Sequence, residues 1–247
     1  MKLDNVIEQL ISDTPVGEIT HVINDLKKIS TVNINNVLRD VMKKYNVDNN
    51  VIAQSSKGGI VLSSYNEQDD AFVDYVRGLR VTVDHLTLDV VEETPFEQDD
   101  LCLAISQQLD QYIEEKYPNQ VTTLVTPEVI LIIGEKNNSA NFWNARWRAA
   151  YDFDGSKLTG EINIDIHYYE DGNVRLTTTH KVDEPCEEPV KSIQLIEDLV
   201  EREVTKSIIE LNDSQFKSLR RTLPVTRAKV QWSNSIGNYR LGKDVTN

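Results

Sequence analysis

The side chains that could carry chemistry are few and scattered. The four histidines, His21, His85, His167 and His180, stand singly, none at ligand spacing from a cysteine or carboxylate that would hold a metal. His167 and His180 fall on the two arms of an expected hairpin and could face each other there, a structural pair rather than a ligand set. Lys57-Gly58-Gly59 lacks the strand–loop–helix setting of a phosphate loop, and Ser63 and Ser64 lack a nucleophile elbow. The acid pairs Glu92-Glu93, Asp99-Asp100 and Glu114-Glu115 lie in polar stretches and read as solvated surface. The sequence therefore argues against an enzyme and calls for no cofactor and no metal. What remains is a binding surface. Trp143 and Trp147, if on a strand, share one face with Ala145 and serve the core, leaving Asn144, Arg146 and Arg148 on the other face to pair with acidic groups or a partner.

Charge is divided along the chain. Of 247 residues, 26 are Lys or Arg and 40 are Asp or Glu, for a formal net charge of −14. Residues 215–247 hold Lys217, Arg220, Arg221, Arg227, Lys229, Arg240 and Lys243 against Asp244 alone, a net of +6, which leaves −20 on residues 1–214. A basic tail on an acidic body points to an acidic partner for the tail, or to a tail that folds back. The acidic body opposes general nucleic-acid binding. No apolar run reaches the roughly 18 residues of a transmembrane segment, and the polar start, Met1-Lys2-Leu3-Asp4-Asn5, is unlike a signal peptide. With Cys102 and Cys186 alone and far apart, the expected setting is cytoplasmic, and Asn137 and Asn212 are chance matches to a glycosylation pattern.

The elements that must position these residues follow from periodicity. Val6, Leu10 and Ile11; then Ile19, Val22, Ile23, Leu26 and Ile29; then Val37, Leu38, Val41 and Met42 predict three short amphipathic helices. Val51–Gln54 and Ile60–Leu62 flank a tight turn, and Leu79, Val81, Val83 and Leu86 alternate as a further strand. Leu101, Ile105, Leu109 and Ile113 predict a helix that ends near Pro118. Val129–Ile133, Phe142–Phe153, the alternating Ile162, Ile164 and Ile166, and Val174–Thr179 after Asp171-Gly172 predict an antiparallel meander. Ile193, Ile196, Val200, Val204, Ile208 and Leu211 line one side of a long helix, about 33 Å at roughly 1.5 Å per residue. Asp213 or Ser214 would cap a short helix that Pro224 interrupts.

Leu219-Arg220-Arg221-Thr222-Leu223-Pro224-Val225-Thr226-Arg227-Ala228-Lys229-Val230-Gln231-Trp232 resembles the C-terminal signature of the F-actin-capping protein alpha subunit family. Asn141–Arg148 and Ile166–Val174 resemble that family's second and third motifs, and Pro15-Val16-Gly17-Glu18 its N-terminal bundle. The resemblance implies an α+β fold, with an N-terminal helical bundle at 1–50, a small β region plus helix at 51–118 and a central antiparallel sheet at 119–184. A long helix over that sheet at 185–212 and a mobile, basic, actin-binding tail at 213–247 complete it. It also implies an obligate heterodimer with a similarly folded capping protein beta subunit whose sheet joins this one. The pair would cap the barbed end of the actin filament, independently of calcium, within the cytoplasmic actin cytoskeleton. Acidic phosphoinositides and dynactin are further implied partners. The family's actin-contacting positions fall on Lys217, Arg221 and Arg227, helped by Arg220 and Lys229, with Trp232, Tyr239 and Leu241 as the apolar face of the tail; phosphoinositides would compete for Lys217, Arg221 and Arg227. Ala145 stands where the family usually has glycine, and the loop from Asp152 to Thr159 is shorter than in most relatives. Ser233–Asn238 is also more polar than the usual tail, Gly237 disfavouring helix by about 1 kcal/mol.

Overall fold

The structure, a computed structural model, describes residues 3–117, 121–138, 143–168 and 174–210. These fall into two units that divide between Ser192 and Ile193.

The first unit opens with three helices, α1 (Leu3–Ser12), α2 (Ile19–Ile29) and α3 (Asn35–Asp48). Ile7, Ile11, Leu38, Met42 and Tyr45 are buried together, and the Tyr45 hydroxyl donates to the carbonyl of Thr14 at 3.0 Å. The packing is uneven. No residue of α2 is fully buried, and Leu3 and Leu10 on α1 are exposed by about half. Leu86, expected on a strand, sits in the turn after β5 (Leu79–Val83) and packs against this bundle instead.

A hairpin of β1 (Ile52–Ser55) and β2 (Gly58–Val61) follows, with Ser55 opposite Gly58 across a two-residue loop. Gly58 takes a φ of +117°, which a side chain would resist. A four-stranded sheet in the order β3 (Glu67–Gln68), β4 (Ala71–Asp74), β5, β6 (Val90–Pro95) adjoins it. Ala53, Ile60, Leu62, Phe72, Val81 and Val83 form their shared core. α4 (Asp100–Lys116) starts at an N-cap that was expected to be mere surface: the Asp99 carboxylate accepts the Cys102 N–H at 2.8 Å. The buried stripe is Cys102, Ile105, Leu109 and Tyr112: Ile105 and Leu109 are as expected, while Cys102 and Tyr112 take the places expected for Leu101, which is exposed, and Ile113, which is half-buried.

The five-stranded sheet is a strict meander, in the order β11-β10-β9-β8-β7. Its strands are β7 (Val121–Val125), β8 (Val129–Asn138), β9 (Trp143–Phe153), β10 (Lys157–Tyr168) and β11 (Val174–Pro185), all antiparallel. The register separates the two histidines expected to face each other: His167 lies opposite Arg175, and His180 opposite Ile162. The cause is where the chain reverses. Tyr168 pairs with Val174, so His167 lies one residue from the end of β10 while His180 sits well down the returning strand. One face of the sheet bears Leu124, Leu131, Ile133 and Ala150, which bury Val61 of the small hairpin.

α5 (Pro189–Glu210) runs from the first unit into the second. Ile193 and Val200 on its apolar stripe are buried, while Val204 and Ile208 further along are only half-buried. No described helix is long and apolar enough to cross a membrane.

Candidate functional site

Every residue expected to touch actin or phosphoinositide, Lys217, Arg220, Arg221, Arg227, Lys229, Trp232, Tyr239 and Leu241, lies outside the described residues, as do Asp171-Gly172, Asp213 and Ser214. What the structure does display is the joint formed by the second motif. β9 alternates, so Asn144, Arg146 and Arg148 project from the face opposite Trp143, Ala145 and Trp147. All three polar residues reach into the helical bundle. Asn144 Nδ2 donates to Glu18 Oε1 at 3.1 Å, Arg146 Nη1 to Asn49 Oδ1 at 3.2 Å, and Arg148 Nε to Asn50 Oδ1 at 2.6 Å. Arg146 Nη2 also donates to the backbone carbonyl of Asn49.

Arg146 is the centre of this joint. Its Nε lies 2.8 Å from Glu135 Oε1 on the neighbouring strand, a close ion pair whose angle falls short of an aligned hydrogen bond. Burial lowers the affinity of the guanidinium for its proton, and the Glu135 carboxylate opposes that effect. Burial likewise pushes the Tyr45 hydroxyl well above its ordinary value. The arginines expected to pair with acidic groups or a partner are therefore spent largely on neutral asparagines within the chain. Sequence reasoning missed Glu18, Asn49 and Asn50, and only the run of polar residues at the end of α3 could have hinted at the last two.

Beside the joint lies a polar cleft of about 310 Å³, where the loop from Ser12 to Gly17 meets the end of the sheet. Arg175 spans Asp165 with two bonds of 2.9 and 2.5 Å, holding that carboxyl below its usual range. The arginines that line the cleft thus face carboxylates already bound to them. Among the described residues no group of three His, Cys, Asp or Glu side chains could hold a metal ion. The Trp face is only half-buried, with Lys136 Nζ 5.4 Å above the centre of the Trp143 ring. Within the first unit the joint ties the helical bundle to the large sheet by side-chain hydrogen bonds.

The family model described as F-actin capping protein alpha subunit matches residues 7–244, nearly the whole chain and all of its basic segment but the last three residues. The F-actin-capping protein subunit alpha of Candida glabrata is 40% identical, over 98% of this chain and 96% of its own length. That of Saccharomyces cerevisiae is 34% identical, over 98% and 97%. Among solved structures, a homodimeric actin capping protein alpha subunit from Plasmodium berghei superimposes with a TM-score of 0.70 at 20% identity, covering 90% of this chain and 97% of that one.

Proposed function

Because the chain belongs to the F-actin capping protein alpha subunit family, we propose that it is one half of a heterodimer that binds the barbed ends of actin filaments without calcium and blocks subunit addition and loss there. The observation that carries this reading is the division of charge, +6 on residues 215–247 against −20 elsewhere, within a segment the family match includes. Lys217, Arg221 and Arg227, assisted by Arg220 and Lys229, would meet the acidic filament surface, and Trp232, Tyr239 and Leu241 would anchor the apolar side of the same segment.

Two features of the described residues favour a capping protein beta subunit as the missing half. β11 has a sheet neighbour on one side only, and the apolar stripe of α5 is half-covered at Val204 and Ile208. A partner strand and a partner surface would complete both. The same basic cluster suits acidic phosphoinositide head groups, which would compete with actin for it.

Elongation from capped seeds tests the reading. The chain with a beta subunit should arrest barbed-end growth in calcium chelator, and the triple variant K217A/R221A/R227A should not. Full growth with a folded heterodimer would overturn the capping reading, and binding of that heterodimer to phosphoinositide vesicles would then favour a peripheral membrane module.

A further inference from the structure

We propose that the loop joining β5 to β6, residues 84–89, is a strained strap between the helical bundle and the four-stranded sheet, and that a proton taken up by His85 releases it. The proposal goes beyond the capping reading and does not depend on it.

The strap is held at both ends of its reach. Leu86 packs against the bundle core, and Leu88, two residues on, packs against the core of the small sheet. His85 sets its ring edge-on to Phe72 of β4, with 5.9 Å between ring centres. From α3, the buried Asn46 donates through Nδ2 to the His85 carbonyl at 2.9 Å and to its Nδ1 at 3.3 Å. One amide therefore makes two bonds from the bundle to the strap.

The loop conformation is a costly one. Leu88 holds a φ of +62°, the left-handed region in which a leucine Cβ crowds its own backbone. Its N–H donates back to the Asp84 carbonyl at 2.7 Å, and the Asp84 N–H donates to the Asp89 carbonyl at 2.9 Å. Such a conformation persists only while the surrounding contacts over-determine it. The strain favours release, and the two Asn46 bonds oppose it.

A proton on His85 acts on those bonds. A carbonyl only accepts, so the Asn46 group that meets it is the amino group, and the same amino group faces Nδ1. In the neutral ring Nδ1 is thus the acceptor and Nε2 carries the hydrogen. A second proton must bind at Nδ1, where it points at the Asn46 amino group, donor against donor. Turning the amide round would offer Oδ1 to the new N–H but would take Nδ2 away from the His85 carbonyl. Either way a bond is lost. The surrounding charges do not rescue it: Lys43 on α3 repels an imidazolium, while Glu67 of β3, Asp70 of the β3–β4 turn and Asp84 of the strap attract one. Lys43 already pairs with Glu67 at 3.0 Å and with Asp70, which blunts their pull. Burial and Lys43 together outweigh the carboxylates and lower the affinity of the held ring for a proton.

In the released strap the imidazole meets water and titrates near its ordinary 6.5. The proton binds the released form more tightly, so acid shifts the population toward release. Between pH 7.5 and 5.5 the limit of that shift is roughly tenfold, the ratio set by a free imidazole. The bonds of Asn49 and Asn50 to Arg146 and Arg148 do not involve the strap, so release loosens the bundle from the small sheet while leaving it tied to the large one.

Amide hydrogen exchange of the full chain tests this, read as protection factors so that the intrinsic pH dependence of exchange drops out. Protection at the Asp84 and Leu88 amides should fall about five- to tenfold from pH 7.5 to 5.5, a window above the ordinary carboxylate range, while the amides that pair β8 with β9 keep theirs. His85→Gln leaves Asn46 an acceptor and cannot titrate, so its strap protection should stay level. Asn46→Asp puts an acceptor against Nδ1, so a protonated ring would be held, and protection should rise as pH falls. Unchanged protection in the wild type, the same loss in H85Q, an equal loss across the large sheet, or a loss in N46D like that of the wild type would overturn the proposal. Should N46D fail to fold, the wild type against H85Q decides alone. Filament elongation is not the readout, so a failure to cap would leave this result standing.

Discussion

Arg148 Nε meets Asn50 Oδ1 at 2.6 Å, tying the middle of β9 to the residue that turns the chain out of α3. Asn50 is buried and holds a φ of +50°, a conformation asparagine tolerates better than most side chains. The amide thus does two jobs, closing the helix through its Nδ2 bond to the Val47 carbonyl at 3.2 Å and receiving the arginine from the sheet. The bundle is therefore fixed to the sheet by directional bonds.

Removing the centre of that joint should be costly. Arg146→Ala strips two donors from Asn49 and leaves Glu135 without its counter-charge; we expect about 2–3 kcal/mol of lost stability by urea unfolding. Arg146→Lys restores the charge but not the fork, and should recover less than half of the loss.

Gly160 on β10 makes the sheet intolerant at one point. Its φ is +151°, and a Cβ there would lie 2.0 Å from the Ala150 carbonyl oxygen of β9. Gly160→Ala should destabilise by about 3 kcal/mol, whereas Gly155→Ala in the adjoining turn meets no neighbour within 4 Å and bears only the backbone strain of its φ of +92°, so it should cost less. Thermal unfolding of the two variants side by side checks the contrast.

His85 makes stability depend on pH in a defined window. Its ring packs edge-on against Phe72 of β4, and Asn46 Nδ2 of α3 donates to both the His85 carbonyl, at 2.9 Å, and Nδ1, at 3.3 Å. Burial lowers its pKa from 6.5, the charge of Lys43 lowers it further, and Glu67, Asp84 and Asp70 oppose. A lowered histidine pKa means that the unfolded chain binds the extra proton first. Stability from this group is complete above about pH 7 and falls as pH drops through 6.5 toward the lower folded value. His85→Gln should flatten that part of the curve and leave the carboxylate losses below about pH 4 in place.

The basic residues and the apolar anchor should rank unequally. We expect K217A/R221A/R227A to weaken capping by roughly 100-fold or more and W232A/Y239A/L241A by about tenfold. The polar run Ser233–Asn238 gives the anchor little helical support. Dissociation rates from capped seeds measure both, and the reverse order would refute the ranking.

Much of this was legible in the chain, for identifiable reasons. α1, α3 and α5 announce themselves because each buries one stripe and wets the other face. The β10 alternation Ile162, Ile164, Ile166 is equally plain. β4 escaped notice because Ala71–Asp74 is buried on both faces, which erases the period of two. β6 escaped because Glu92 and Glu93 look like loop, although Glu93 is held by the Ser56 N–H at 3.0 Å. The joint was beyond reach for another reason: Arg146 and Asn49 are 97 positions apart, and no local pattern records such a bond. The motif marked Arg146 as special without saying to what it would bind.

The meander order of the large sheet bears on how the protein is made. Strand follows strand in space as in sequence, so a nascent chain can zip the sheet one neighbour at a time with short loop closures. The bundle precedes the sheet in the chain but cannot lock until β9 arrives about a hundred residues later. β11, an edge of that sheet, is translated last of the described strands. During synthesis the helices are thus kept waiting, and the exposed edge strand appears only when the sheet behind it is complete, which shortens the time an open edge spends on an unfinished scaffold.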